Sequence, residues 1–595
     1  MFSFKYLGIL LVGLMFVLNL TWPKPIFADE GQTDASLAKS SEQTVQSSGQ
    51  MASQDFKEVP STAKPLGDDG KESTKESKKD LDLPANRPSS GDRILFGNIG
   101  EASNLIPYLS TDSASHEVAD LLYIAPLRYD KDLKIELWAA EDFQIADDGK
   151  RLNFRLRPGI LWEDGQEVTA YDVEFTFKVV IDKDTASPYA EDFLRVKEFR
   201  VLDRYSFEVT YENFYAGAVT SWMNAILPKH ILEGQNIRKT PFARKPIGAG
   251  PYRLKKWESG TQITLSASPT YFLGRPFIDE VVFRIIPDQA TMFMETKAGR
   301  LDVTNLTPLQ YLRETNGLSW DKEFAKYRYL ASMYVFMGFN LEHPYFKDVR
   351  VRQAISAAIS RDEIVQGCLL GQGLPAFGPY KPGTWAYNQN LKPVEQDFAL
   401  AKKLLAEAGF NDSDGDGILD RDGRPFSFTI LTNQGNEQRI LVALLIQEQL
   451  AKIGINVKIR TVEWAAFIRE FVNKGHFDAV ILGWTIGNDP DIYQVWHSSQ
   501  AHDGALNFVH YRNPVCDRLL EEARSIPDQA KRKELYDKFQ EELYRDTPYC
   551  FLFVPYALPL VQRRFHGIEP ALAGIMYNFE RWWVPKNKQR YHVVQ

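Results

Sequence analysis

The chain has 595 residues, 44% of them hydrophobic, and a formal net charge of -8, which is enough for two or three compact units with large cores. A mildly acidic balance without long basic blocks argues against a nucleic-acid partner. Aromatic residues make up 13% of the chain, with 12 Trp and 26 Tyr; most belong in cores, and the rest leave room for a sugar- or peptide-contacting cleft.

The first segment, "MFSFKYLGILLVGLMFVLNLTWPKPIFADE", sets one lysine before an apolar stretch from Leu7 to Leu20, and Ala28 closes a small-residue cleavage site. It is predicted to be a secretory signal peptide over 1–28, its apolar stretch falling short of the ~20 residues of a spanning helix. An uncleaved anchor is the alternative. The product is expected to be exported and soluble. Cys368, Cys516 and Cys550 are the only cysteines, so a lipid anchor through a cysteine at the cleavage point is not expected. A Cys516–Cys550 disulfide is one option, which sequence alone does not assign. From 29 to 91, Ser, Lys, Glu, Asp, Gly and Pro dominate and Phe56 is the only aromatic. Such a segment buries too little apolar surface to offset its ordering entropy and is expected to be a disordered tether. The fold should start near Asp92.

Beyond it strands and helices alternate. "RILFGNI" reads as a strand, and "FQIADDGKRLNFRL" as two strands joined by a turn at Asp148 and Gly149. Thr169 followed by Asp172 is a capping pattern, opening a helix whose buried stripe is Val173, Phe177, Val180 and Ile181. "EVVFRIIPDQATMFMETKAGRLDVTNL" reads strand, helix, strand, with Gly299 as helix C-cap. "FSFTILT", "EQRILVALLIQEQLAKIG" and "INVKIRTV" form a crossover of the length a parallel sheet requires. "FDAVILGW" is a nearly continuous apolar strand.

Residues 412–423, "DSDGDGILDRDG", approach a calcium loop: Asp412, Asp414, Asp416 and Asp420 fall at carboxylate positions, Gly417 at the turn, and the Ile418 carbonyl at the seventh position. Gly423 stands where a bidentate Glu belongs. A helix precedes the loop and a strand follows, so it is not a helix–loop–helix sensor. The two readings are a structural calcium clip and a solvated acidic turn needing no ion. No cofactor is otherwise required.

The sequence carries none of the common catalytic signatures. No H-E-x-x-H, G-x-S-x-G or Walker loop occurs. "GAGPY" at 248–252 lacks the third glycine of a dinucleotide loop. His497, His502 and His510 lie close in sequence without ligand spacing, and hydrogen-bonded or surface histidines are the expectation. A large exported protein of this kind reads as a binder rather than an enzyme.

Several stretches resemble the extracellular solute-binding proteins of family 5, which deliver peptides, nickel complexes and other solutes to ABC importers. They are "LWEDGQEVTAYDVEFTFKVVID", "PIGAGPYRLKKWESGTQITLSASPTYFLGRPFIDEVVFRIIPDQAT", "NLEHPYFKDVRVRQAISAAISRDEIV", "NEQRILVALLIQEQLAKIGINVKIRTVEWAAF" and "FDAVILGWTIGNDPDIYQVWHSS", in order between Ile94 and Trp583. The resemblance implies an α/β, two-lobed periplasmic-binding-protein fold. The first lobe would be 92–140, 246–335 and 556–595, its extra subdomain 141–245, and the second lobe 336–555, with crossings near 338–340 and 553–556. It implies a periplasmic monomer that captures oligopeptides and hands them to an ABC permease in the inner membrane. A nickel complex or another solute is the same-fold alternative. An exported hydrolase using Glu163 and Asp164 is the different-class one, although those two more simply form the turn "WEDG".

The resemblance also implies where the ligand sits. In the family's di- and oligopeptide binders a Trp past the buried strand is followed three residues on by an Asp that pairs with the peptide ammonium. Here Trp484 is followed by Gly487, and carboxylates arrive only at Asp489 and Asp491. The expected ligand-binding residues are Trp484, Asn488, Asp489 and Asp491, with Asp489 taking the ammonium. The competing readings are that Asp489 caps the next helix, or that the ligand carries no free ammonium.

Overall fold

The computed structural model describes residues 87–146, 148–393 and 395–593. The expected signal peptide and nearly all of the expected tether lie outside them. The tether's last residues are bonded to the fold: Ser89 Oγ donates to the Val584 carbonyl at 2.7 Å, and the Gly91 N–H to that of Phe277 at 2.9 Å.

The first of two large sheets has seven strands, in the order Phe324–Lys326, Pro559–Gln562, Val303–Asn305, Arg93–Asn98, Glu280–Ile285, Gln262–Ala267, Tyr252–Glu258. Arg93–Asn98 runs parallel to Glu280–Ile285 and Val303–Asn305, and Phe96 stacks on Phe283 across the register at 5.2 Å. The predicted strand–helix–strand unit closes this sheet. Asp288 caps the helix Gln289–Lys297 by accepting from the Thr291 N–H at 2.6 Å, and Gly299 leaves it at φ +71°.

A four-stranded antiparallel sheet of Ala140–Ile145, Arg151–Leu156, Ser206–Tyr211 and Val196–Val201 forms the extra subdomain. Its first hairpin turns at Asp148 and Gly149, the latter at φ +66°. Asp172 Oδ2 accepts from both the Thr169 N–H at 2.8 Å and its Oγ1 at 2.9 Å, fixing the start of the helix Ala170–Ile181. Val173, Phe177 and Val180 are buried, with Phe177 stacked on Phe199 at 5.5 Å.

The second large sheet orders Tyr329–Leu330, Tyr549–Ala557, Met333–Phe339, Ala479–Thr485, Ser427–Asn433, Asn456–Val462. Ser427–Asn433 and Asn456–Val462 are parallel, joined by the helix Glu437–Ala451. Ala479–Thr485 is parallel to Ser427–Asn433 but antiparallel to Met333–Phe339, so the sheet is mixed. That pairing corrects the expected first crossing at 338–340. Met333–Phe339 bonds to Ala479–Thr485 over its whole length and Tyr329–Leu330 already pairs with Tyr549–Ala557, so the chain changes sheet at 327–328. The return falls at 557–559, between Tyr549–Ala557 and Pro559–Gln562. The two connections run side by side, with the Tyr327 N–H on the Pro559 carbonyl and the Ala331 N–H on that of Pro555. Two short adjacent connections make a hinge.

Two further sequence features resolve. The cysteines are all free, which corrects the Cys516–Cys550 option: Cys516 Sγ lies 3.3 Å from the Tyr511 hydroxyl, and Cys550 Sγ accepts from Arg361 at 3.3 Å. The "GAG" glycines are a packing device. A Cβ on Gly248 would stand 1.8 Å from the Leu122 carbonyl oxygen, and the Gly250 N–H donates to that same oxygen at 2.9 Å. Gly248→Ala is therefore expected to destabilise the fold by about 1–3 kcal/mol, an overpacking cost, measured by urea unfolding. An unchanged midpoint would contradict this close approach.

Candidate functional site

A cavity of about 750 Å³ lies between the lobes, of the size of a ligand pocket. The first lobe contributes Glu117 and Asp120, the subdomain Tyr189 and Tyr215, and the second lobe Arg439, Trp464, Trp484 and Asp489. A second cavity of about 590 Å³, walled by Phe377, Leu404 and Tyr544, belongs to the second lobe alone.

Direct bonds between the lobes close this cavity. On one side the helix Pro514–Arg524 ends in Arg524, which is 1% exposed. Its Nη2 donates to Asp192 of the subdomain and to the Tyr215 hydroxyl, the latter at 2.9 Å. Gln494 Nε2 donates to the other Asp192 oxygen at 2.7 Å, and the Ala216 N–H to the Arg524 carbonyl at 2.7 Å. On the other side the Glu437 N–H donates to Gln289 at 2.9 Å. There Gly435, at φ +82°, lies so close to Pro287 that a Cβ would stand 1.7 Å from the Pro287 carbonyl oxygen. Burial, offset by Arg524 and reinforced by Asp491, pushes the Asp192 carboxyl up to about 6.

Trp484, on Ala479–Thr485, presents its ring to Phe508 at 5.7 Å and donates its indole N–H to the Tyr549 hydroxyl at 3.2 Å. Asp489 and Asp491 also line the cavity, and both carry partners. Asp489 accepts from Arg532 at 3.1 Å and from the Asp491 N–H at 2.9 Å. Asp491 accepts from Arg524 Nε at 2.7 Å and from the Tyr493 N–H at 3.1 Å. Asn488 is exposed and is not among the lining residues. The free Asp489 carboxylate expected from sequence is thus corrected: Arg532, 43 residues further on, already neutralises it.

Carboxyl groups without a salt-bridge partner come from the opposite wall. On the helix Ser113–Leu122, Glu117 and Asp120 stand one turn apart. Glu117 accepts from Asn98 at 2.9 Å, and no cation pairs with either carboxylate among the described residues. Both side chains are exposed where they line the cavity, so protein packed around them removes the screening of bulk water only in part. Desolvation still governs them. It pushes Glu117 up to about 7, the Asn98 bond opposing it and Asp120 and Asp112 adding to it; burial likewise raises Asp120. Sequence inspection missed this pair, since acidic residues at helical spacing read as a solvated face.

The acidic loop has a geometry of its own. Among the described residues, Asp412, Asp414 and Asp416 bring carboxylate oxygens within 4.8 Å of one another. Asp420 departs from the expected ligand set: its Oδ2 accepts from the Ser413 N–H at 2.8 Å and the Ser413 hydroxyl at 2.6 Å, inside the hairpin Asp420–Arg421/Arg424–Pro425. The Ile418 N–H bonds to Asp416 at 2.7 Å. The Leu419 N–H reaches the Gly454 carbonyl past the helix Glu437–Ala451 at 2.7 Å, so the loop fastens that helix end. His497, His502 and His510 form no such group; His497 stacks on Tyr493 at 4.0 Å. Asp164 accepts from the Gln166 N–H just past the "WEDG" turn at 3.1 Å and bonds to His230 at 2.7 Å.

Two lobes on a two-stranded hinge, closing over a charged cavity, define the class of two-lobed periplasmic binding proteins. Residues 134–505 match the model of the bacterial extracellular solute-binding proteins, family 5, and the chain belongs to that family. It is 36% identical over 526 residues to the oligopeptide-binding protein AppA of Bacillus subtilis, covering 86% of this chain and 95% of that one. The structure of AppA in complex with a nonapeptide superposes with a TM-score of 0.81, at 35% identity, over 84% of this chain and 100% of that one. NikZ of Campylobacter jejuni in complex with Ni(L-His) gives a TM-score of 0.76 at 26% identity, over 83% and 99%.

Proposed function

We propose that this protein captures oligopeptides in the periplasm, between its two closing lobes, and delivers them to an ABC permease in the inner membrane. The observation that carries the reading is the polarity of the closed cavity: unpaired carboxylates on one lobe face a guanidinium without a carboxylate partner on the other. A peptide presents an ammonium, a carboxylate and a hydrogen-bonding backbone to such walls, and water fills the space around variable side chains. The relationship to AppA, a nonapeptide binder, supports the same ligand class. Binding proceeds without turnover. Native mass spectrometry of protein purified without refolding should return a heterogeneous set of intact peptides. A single metal-bearing mass would favour the NikZ-like cargo, and peptide fragments accumulating with time would favour a hydrolase.

We further propose that the loop at 412–417 holds calcium as a structural clip, through Asp412, Asp414 and Asp416. Asp414→Ala is expected to lower the melting temperature in calcium to its value in chelator, with peptide affinity unchanged at room temperature. Loss of peptide binding on chelation alone would overturn the clip.

A further inference from the structure

Six arginines are buried among the described residues: Arg352, Arg361, Arg439, Arg524, Arg532 and Arg564. Five have their charge paired or most of their donors bonded by the protein, although Arg524 Nη1 and Arg532 Nε keep no hydrogen-bond partner among the described residues. Arg524, Arg532 and Arg564 pair with carboxylates. Arg352 and Arg361 spread their donors over backbone carbonyls, Phe346, Asp546 and Thr547 for the first, Ser356, Ile359 and Phe551 for the second. Arg439 is the exception. It is 7% exposed, yet its five N–H donors make one side-chain hydrogen bond among the described residues, from Nη1 to Asn433 Oδ1 at 2.8 Å.

The place of this guanidinium is built into the fold. Asn436 caps the helix Glu437–Ala451 by accepting from the Arg439 N–H at 3.0 Å, which sets the side chain in the first turn. A Cβ on Gly483, in the neighbouring strand, would stand 3.1 Å from Nη2 and 2.8 Å from the Met333 methyl. The missing side chain is what admits the guanidinium. Arg439 and Gly483 both line the interlobe cavity. Burial alone acts on the group and lowers it to about 10, with no carboxylate holding it up. A buried cation with idle donors on a cavity wall calls for an anion from the cavity.

We propose that Arg439 is a carboxylate-binding subsite of the cleft, accepting either the C-terminal carboxylate of a peptide or an acidic side chain. This rests on the peptide reading above and adds to it the polarity of binding: carboxylate on the second lobe, ammonium towards Glu117 and Asp120 on the first. A zwitterion so held links the lobes, and an uncharged ligand of the same length does not.

The test is calorimetric titration of wild type, Arg439→Gln and Arg439→Lys with one Ala/Gly pentapeptide as the free acid, as its C-terminal amide, and as an amide carrying a central Glu. In wild type, amidation should weaken binding about 30-fold or more, the scale for removing one partner of a desolvated charge pair. Arg439→Gln should weaken the free acid by a similar factor and leave the amide little changed, and Arg439→Lys should restore part of the loss. If the central Glu recovers affinity in wild type but not in Arg439→Gln, side-chain carboxylates use the subsite; if it does not, the C-terminus does. Equal losses for acid and amide in Arg439→Gln, or no loss for either, overturn the proposal. Should wild type bind none of the three, the peptide reading fails, and acetate then tests the subsite alone. An acetate-dependent rise in melting temperature confined to wild type and Arg439→Lys supports it, and an equal response in all three proteins overturns it.

Discussion

Asp192→Ala is expected to weaken ligand binding about 10- to 30-fold while leaving the stability of each lobe nearly intact. The bonds it loses from Arg524 and Gln494 exist only when the lobes meet, and the one from Tyr215 lies within the subdomain. In an opened molecule the Asp192 carboxylate returns to water, and Arg524 keeps Asp491, its partner within the second lobe. Closure therefore loses two contacts to the carboxylate, from Arg524 and Gln494, partly offset because the carboxylate no longer has to be buried, for a net of about 1.5–2 kcal/mol, and binding that requires closure loses the same amount. Arg524→Met should behave differently. It strips the pair from Asp491, whose side chain is 11% exposed, and leaves a buried charge uncompensated in open and closed forms alike, at a cost of about 3–5 kcal/mol to the fold. Calorimetry with the co-purified peptide, together with the radius of gyration of the ligand-free protein, separates the two. A wild-type affinity in Asp192→Ala would mean that the contact forms without influencing closure.

How much of this was legible in the sequence depends on the distance over which each feature acts. The Thr169–Asp172 cap, the turn at Asp148 and Gly149, and the crossover from Ser427–Asn433 to Asn456–Val462 all depend on neighbours within one or two elements, and the structure has each of them. The first crossing was misplaced because Met333–Phe339 reads like any apolar strand. Only its pairing with Ala479–Thr485, some 145 residues away on the register, shows which sheet owns it. The site is less legible still. Arg524 meets Asp192 across 332 positions and Arg532 meets Asp489 across 43, so a carboxylate that looked free in "NDPD" arrives in the cleft already paired. Conversely, "SHEVAD" carries no site signal in the sequence, and it lines a cavity wall only because a second lobe closes over it.

Glu117→Gln combined with Asp120→Asn is expected to weaken a free-amine peptide about 100-fold and to leave its N-acetylated form unchanged. Two carboxylates without a cation face a closed cavity, and there a ligand ammonium exchanges water for them at low effective dielectric, where charge-assisted contacts are worth about 1.5–3 kcal/mol each. The pH dependence follows from Glu117. Desolvation, helped by Asp120 and Asp112 against the Asn98 bond, raises it from 4.5 to about 7 in the closed form without ligand. Below 7 it is protonated, and an arriving cation must displace that proton; above 7 it is already ionised. Affinity for a free-amine peptide should therefore climb as pH rises towards 7, by up to tenfold per unit, and level off until the peptide ammonium itself titrates near ~7.7–8. The same shift makes the closed, ligand-free form lose stability as pH rises from 4.5 through 7, since burial opposes the charged form over that window. Glu117→Gln combined with Asp120→Asn should abolish both trends, since burial raises both carboxyls. Titrations at pH 6.5 in buffers of different ionisation enthalpy should show proton release in wild type and none in the double variant. Release that persists in the double variant, or equal losses for the free and acetylated peptides there, would remove the acidic wall from ligand recognition.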